Sequence, residues 1–201
     1  MIHHGTNTGT LIKVRGIVGL TGLARSGKDL LCTKLSERGA VVRVALADAL
    51  KQDMRDFLIL KYGIDILHCS AQEKETIRPL LVAHGCAMRS ISNGECWIKK
   101  VHQKVVENAL WALVVVTDIR FPNELAWLKK LGGALVHVRR YDVVDCDRRY
   151  LSPPNAEEAE HDPRMRESAD FKLEWPTCDK DGIKLNAEVD DVVSYLNGRL
   201  I

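Results

Sequence analysis

The residues best placed to do chemistry in this 201-residue chain lie in GLARSGKD, Gly22 to Asp29. The spacing is G-x-x-x-x-G-K, and it stands between a short apolar run, VRGIVGLTG, and a segment with Leu31 and Leu35 four residues apart. That is the strand-before, helix-after context this motif requires. Gly22 and Gly27 allow backbone conformations and close approaches that a side chain would block. The successive amides of Leu23, Ala24, Arg25, Ser26, Gly27 and Lys28 can therefore converge on phosphate oxygens. The helix that follows adds the positive end of its dipole. Lys28 supplies a point charge that bridges terminal phosphates and stabilises negative charge on a group in flight. The chemistry expected of such a loop is phosphoryl transfer.

Two acids accompany the loop. Asp29 occupies the position where a Ser or Thr hydroxyl usually meets magnesium. It has two readings at this stage: a first-turn acid that favours the helix dipole, or a carboxylate set beside polyphosphate because a divalent cation lies between them. Asp118 ends the apolar run ALVVVTD, the hhhhD pattern that holds or orders magnesium in phosphate-loop enzymes, and is expected to serve as the second metal-side acid. Arginines Arg139, Arg140, Arg148 and Arg149 flank a charge-dense stretch. Guanidiniums there can span phosphate oxygens bidentately, and Arg148 and Arg149 are the expected catalytic pair of a lid.

The elements that must position these groups follow from hydrophobic patterning. Residues 1–10 are polar, Gly/Thr-rich and without periodicity, and are expected to be a flexible tail. Three further apolar runs, VVRVALAD, ALVVVTD and ALVHVR, read as strands buried on both faces of a parallel sheet. Between the first two, from Ala49 to Ala112, the pattern is helical throughout, with Leu50, Met54, Phe57 and Leu58 on one stripe and Trp97, Val101, Val105 and Ala109 on another. Ser70 and Glu73 have capping-box spacing, Pro79 suits a first helical position, and Asn93-Gly94 supplies a turn. Trp97, Trp111 and Trp127 sit at core spacings and are expected to be buried. Residues 140–170 read as a mobile surface segment and the acidic run Glu157 to Asp162 as solvated. A weak strand is expected near Phe171 to Trp175 or Ile183 to Leu185, and a last helix from Ala187 to Asn197. Strands alternating with helices predict an α/β fold, with ligands beyond the strand C-terminal ends.

Composition narrows the function. Lys and Arg total 29 and Asp and Glu 27, a net charge of +2 that argues against a nucleic-acid-coating surface. No apolar stretch approaches a membrane span, so neither nucleic acid nor membrane is an expected partner. Six scattered cysteines without a CxxC read as reduced, and a cytoplasmic protein is expected. His68, Cys69, His84, Cys86 and Cys96 match no common zinc spacing.

Several segments together resemble the phage-type deoxynucleoside monophosphate kinases, a branch of the P-loop kinases. RSGKD (Arg25 to Asp29) is similar to that family's variant loop, ALADALK (Ala45 to Lys51) to its strand-to-helix segment, and TDIRFPNE (Thr117 to Glu124) to its most distinctive stretch. Gly132-Gly133 and HGCAMRSISNGECWIKKV, from His84 to Val101, add to the likeness. The resemblance implies a P-loop NTPase-like three-layer sandwich with a mostly parallel sheet, in which 11–201 form one kinase domain, 48–111 a helical substrate-binding insertion and 140–170 a lid. It implies ATP with Mg2+ as donor and a nucleoside monophosphate as acceptor. Asp48, Lys51, Arg89, Trp97, Arg120, Asn123 and Glu124 match candidate substrate-side positions. A homodimer stays open. Leu30 stands where the family often has threonine. Two other readings also remain. One is a P-loop kinase for another small phosphorylated metabolite, of the phosphomevalonate or dephospho-coenzyme A type. The other is a nucleotide-dependent switch protein without an acceptor.

Overall fold

A computed structural model describes residues 9–144, 146–177 and 183–200. In chain order the elements are β1 (Gly16–Thr21), α1 (Lys28–Ser36), β2 (Val41–Val44), α2 (Leu46–Tyr62), α3 (Ala71–Ser92), α4 (Cys96–Ala109), β3 (Leu113–Val116), α5 (Pro122–Lys130), β4 (Ala134–Val144), β5 (Asp147–Tyr150), α6 (Ala156–Glu167), β6 (Phe171–Pro176) and α7 (Ile183–Arg199). They divide into two units, Met1–Arg43 with Asn108–Ile201, and Val44–Glu107.

The first unit is an α/β fold. Its sheet runs β2-β3-β1-β4-β5, with β6 also on β4. Strand β1 pairs in parallel with β3 and β4, and β4 in parallel with β6, so only the β4–β5 hairpin is antiparallel among these pairs. Side chains alternate between faces along each strand. Val18, Leu20, Val136, Val138, Leu173 and Trp175 pack with Leu31 and Leu35 of α1 and Val189, Val192 and Leu196 of α7. Each fully buried Leu or Val of this kind contributes about 1.5–3 kcal/mol. The opposite face is covered by α5. A Cβ on Gly19 would lie 2.6 Å from Leu128 Cδ2 and 2.8 Å from Ile119 Cγ1, so glycine there lets these buried side chains pack against the strand without shifting. Helices therefore flank both faces of the sheet, as the sequence predicted.

The second unit is helical, with a small core of Leu58, Ile66 and Ile77. The expected capping box is present: Glu73 N donates to Ser70 Oγ at 3.2 Å, and Ser70 N to Glu73 Oε2 at 2.8 Å. Asn93 (φ 52°) and Gly94 (φ 81°) make the turn into α4.

Several expectations need correction. The strand expected over 41–48 stops at Val44, and Asp48 lies in the first turn of α2. The apolar pattern continues across that boundary, because both the strand end and the helix start are buried. Pro79 is inside α3, on an exposed side where the carbonyls it deprives of a donor can turn to solvent. Trp111 is 59% exposed and Phe57 also faces solvent. The expected surface segment 140–170 holds regular elements among its described residues: the end of β4, strand β5 and α6. Phe171 to Pro176 is the strand β6, whereas Ile183 opens α7. Of the expected tail, residues 1–8 lie outside the described residues, and the Thr10 amide donates to Asp190 Oδ1 at 2.9 Å.

Candidate active site

The glycine loop lies where β1 hands over to α1. Gly22 (φ +125°) and Gly27 (φ +98°) both adopt conformations that L side chains rarely take. Space matters equally: a Cβ on Gly22 would meet the Val138 carbonyl oxygen at 2.1 Å, and one on Gly27 the Trp175 ring at 2.4 Å. Arg25 also has positive φ, 67°, at the exposed crest. Ser26 is buried, its amide donating to Leu23 O at 3.1 Å, while its carbonyl accepts from Trp175 Nε1 at 2.9 Å. The buried indole thus props the loop from within the core.

Lys28 is folded back on this loop. Its ammonium donates to the carbonyls of Gly22 (2.7 Å) and Leu23 (2.8 Å) and reaches Ser26 Oγ at 3.5 Å. Burial, and next the positive charge of Arg120, push its pKa down to about 8, against the opposing pull of Glu158, Asp29 and Asp118. A lysine so destabilised in its charged form gains from any added anion.

Both candidate metal-side acids act on Lys28. Asp29 projects from the first turn of α1, 81% exposed along its side chain and 3.4 Å from Arg43 Nη2. Asp118 follows β3 and is half-buried. Magnesium takes one or two carboxylates and completes its shell with water and substrate phosphates. Two carboxylates within electrostatic reach of the loop lysine suit that donor set.

Beyond β3, the segment Ile119 to Phe121 is fixed by Glu124. This buried carboxylate accepts from the amides of Arg120 (2.8 Å) and Phe121 (3.1 Å), closing the N-terminus of α5. The structure thus gives Glu124 a capping place; Asn123 is half-buried beside it. The Arg120 side chain, in contrast, points to Glu158 of α6, Nη1 to Oε1 at 3.4 Å. The other oxygen of Glu158 accepts from the Ala24 amide at 2.7 Å. Thr21, Gly22, Leu23, Arg120, Glu158 and His161 are among the residues lining the cleft above the loop. Glu158 is therefore no solvated acid, contrary to the sequence reading of its run.

The arginines expected to serve a lid lie on the β4–β5 hairpin. Arg148 lies over the Tyr141 ring at 4.5 Å and reaches Glu174 Oε2 at 3.5 Å. Arg139 lies over Tyr150 at 3.5 Å. Arg149 is exposed, opposite Asp142 in the register. Glu174 also receives Arg166 of α6 at 2.9 Å and the Tyr150 hydroxyl at 2.8 Å.

In the helical unit, Lys51 Nζ donates to Asp48 Oδ1 at 2.6 Å. Arg89 is half-buried in the last turns of α3. Trp97 is buried, its Nε1 without a partner, and its ring lies 5.9 Å from that of His84. His84 and Lys100 both bond to Asp53.

The sequence reading missed Glu158, Trp175, Glu174, and the buried His137 that pairs with Asp162 of α6 at 3.0 Å. Only Trp175 carried a usable signal, as an aromatic in a short apolar strand. The others are polar contacts across long sequence separations, which no local pattern reveals.

Residues 20–133 match the model of a family described as phosphomevalonate kinase. A protein of Acanthamoeba polyphaga mimivirus described as "Putative deoxynucleotide monophosphate kinase" is 26% identical over 153 residues, 65% of this chain and 77% of that relative. Among solved structures, that of TT1252 from Thermus thermophilus is similar with a TM-score of 0.54 at 16% identity, covering 94% of this chain and 100% of its own. This last likeness concerns the fold alone.

Proposed function

The chain belongs to the phosphomevalonate kinase family and is a P-loop kinase; from that premise we propose that it transfers the γ-phosphoryl group of ATP to the phosphate of a (deoxy)nucleoside monophosphate, giving the diphosphate and ADP. The observation that carries the phosphoryl-transfer reading is the loop itself, with Gly22 and Gly27 at positive φ and Lys28 folded back on it from its end. The nucleotide acceptor is supported by the mimivirus relative and by the likeness of TDIRFPNE to deoxynucleoside monophosphate kinases.

In this mechanism an oxygen of the acceptor phosphate attacks the γ-phosphorus, and the bond from that phosphorus to the β,γ-bridging oxygen breaks. ADP leaves. The acceptor is already an anion, so no catalytic base is needed. The protein supplies position and charge. The loop amides hold the phosphates, and the Lys28 ammonium exchanges its carbonyl partners for phosphate oxygens. Asp29 and Asp118 would hold magnesium, which neutralises charge on the β- and γ-phosphates when bound. Asp48, Lys51, Arg89 and Trp97, all within the helical unit, are proposed as acceptor contacts; the sequence-expected Arg120 and Asn123 belong to the sheet-bearing unit and are taken by themselves. Arg148 and Arg149 are the proposed lid cations.

A second reading rests on the family match over residues 20–133: the acceptor is phosphomevalonate. Both acceptors are phosphate esters that become diphosphates, so one assay separates them. With ATP and magnesium, ADP release is followed across a panel of ribo- and deoxynucleoside monophosphates and mevalonate 5-phosphate. Stimulation by one or more of the nucleotides alone supports the proposal. Stimulation by mevalonate 5-phosphate alone replaces it with the second reading, and nucleotide binding without any acceptor-stimulated ADP overturns both.

A further inference from the structure

Helix α6 is attached to the sheet-bearing unit in an unusual way. Most surface helices bury an apolar stripe. Of the residues in α6 only Met165 is buried. The helix instead presents a polar row at positions 158, 162 and 166, spaced four apart and hence on one face. Glu158 meets Ala24 and Arg120, Asp162 meets His137, and Arg166 meets Glu174. The first contact of this row falls on the glycine loop, and its chemistry is that of a phosphate. One carboxylate oxygen accepts from a loop amide at 2.7 Å while the other faces a guanidinium at 3.4 Å, and the side chain is only 10% exposed. Glu158 also acts electrostatically on Lys28. An anion that engages a loop amide and a guanidinium is doing what a donor phosphate would do there.

We propose that the Ala24 amide and the Arg120 guanidinium form an anion subsite of the phosphate loop, for which Glu158 of α6 competes with the phosphates of the donor. This rests on the kinase reading for the donor's identity, and it moves Arg120 from the acceptor side to the donor side. When a polyphosphate enters, its oxygens take over the Ala24 hydrogen bond and the Arg120 charge, and the Glu158 carboxylate passes to solvent. Lys28 and Arg120 are thereby never left facing each other without an anion. Because α6 is held by exchangeable polar pairs rather than a buried apolar face, its release exposes little apolar surface. The apparent dissociation constant for the donor is raised by the reciprocal of the fraction of molecules in which Glu158 has left the loop.

The test is equilibrium titration of the full chain and of Glu158→Gln with magnesium–ATP and, separately, with inorganic tripolyphosphate. Glutamine keeps the shape and removes the charge. Both ligands should bind the variant roughly tenfold more tightly, as expected on removing a charge-assisted competitor. Equal or weaker binding by the variant overturns the proposal, as does failure of both proteins to bind tripolyphosphate. A second measurement needs no variant: amide hydrogen exchange across α6 should speed up when tripolyphosphate is added to the unmodified chain, and unchanged exchange also overturns it. Failure of the kinase reading is distinct, since it shows as no ADP with any acceptor while the difference in tripolyphosphate affinity persists.

Discussion

Trp175 and Ser26 are 149 positions apart in the chain and are joined by a buried hydrogen bond, indole Nε1 to carbonyl oxygen, at 2.9 Å. The same ring closes against Gly27, where a Cβ would lie 2.4 Å from Cζ2. The last strand of the sheet thus fixes the shape of a loop that leaves the first.

Replacing Trp175 with Phe keeps most of the ring and removes the donor. The Ser26 carbonyl then lies buried without a partner, at a cost of about 1–3 kcal/mol. Thermal unfolding should register that loss, and KM for ATP should rise several-fold with a smaller change in kcat.

Lys28→Ala should abolish turnover, by at least about a hundredfold in kcat, since an electrostatic group serving the transferring phosphoryl is removed. Circular dichroism should show the fold intact. A variant that retained full phosphoryl transfer would exclude Lys28 from the chemistry.

The depressed pKa of Lys28 predicts proton linkage. In the unfolded chain this lysine titrates near 10.4, and in the folded one near 8. Between those values the unfolded chain holds the extra proton, so the Lys28 contribution to stability rises with pH across that window and its cost is greatest below pH 8. Donor phosphates favour the ammonium and raise its pKa again. ATP binding at pH 8 to 9 should therefore take up a fraction of a proton. Calorimetry in buffers of different ionisation enthalpy measures it, and Lys28→Met should erase it.

The place of Glu124 predicts a stability effect. Its Oε2 receives two backbone amides while buried, so Glu124→Ala leaves both donors unsatisfied. A loss of about 2–4 kcal/mol is expected. It should appear as a lower denaturation midpoint, and Glu124→Gln should recover part of it.

In the helical unit, Lys100 first and then His84 hold the Asp53 carboxyl below the usual carboxylate range, against the opposing effect of burial. The stability this gives is complete above the ordinary value of about 3.9 and is lost as pH falls through the folded one. Melting temperatures between pH 5 and 2.5 should fall less steeply for Asp53→Asn than for the unmodified chain.

The phosphate loop was legible in the sequence because its requirements are local: two glycines at fixed spacing, a lysine, an apolar run before and Leu31 and Leu35 after. The buried strands were legible for the same reason. Val44 as a strand end was not, since Ala45 and Leu46 stay buried into the helix and hydropathy shows no break. Helix α6 was hidden more deeply. Its mean hydropathy is that of a solvated segment, Pro163 stands inside it, and its docking residues Glu158, Asp162 and Arg166 have the types expected of a surface. Only their partners, Ala24, His137 and Glu174, give them meaning, and those lie elsewhere in the chain.

Strand β1 occupies an interior position in the sheet, bonded in parallel to β3 on one side and β4 on the other. Its final residue, Thr21, is in register with His137 of β4, just before Gly22 turns away. The dipoles that follow start from an interior strand of the sheet and need not reorient as charge migrates between reactants. Rate enhancement by such a site would be prepaid during folding, with the sheet as its frame.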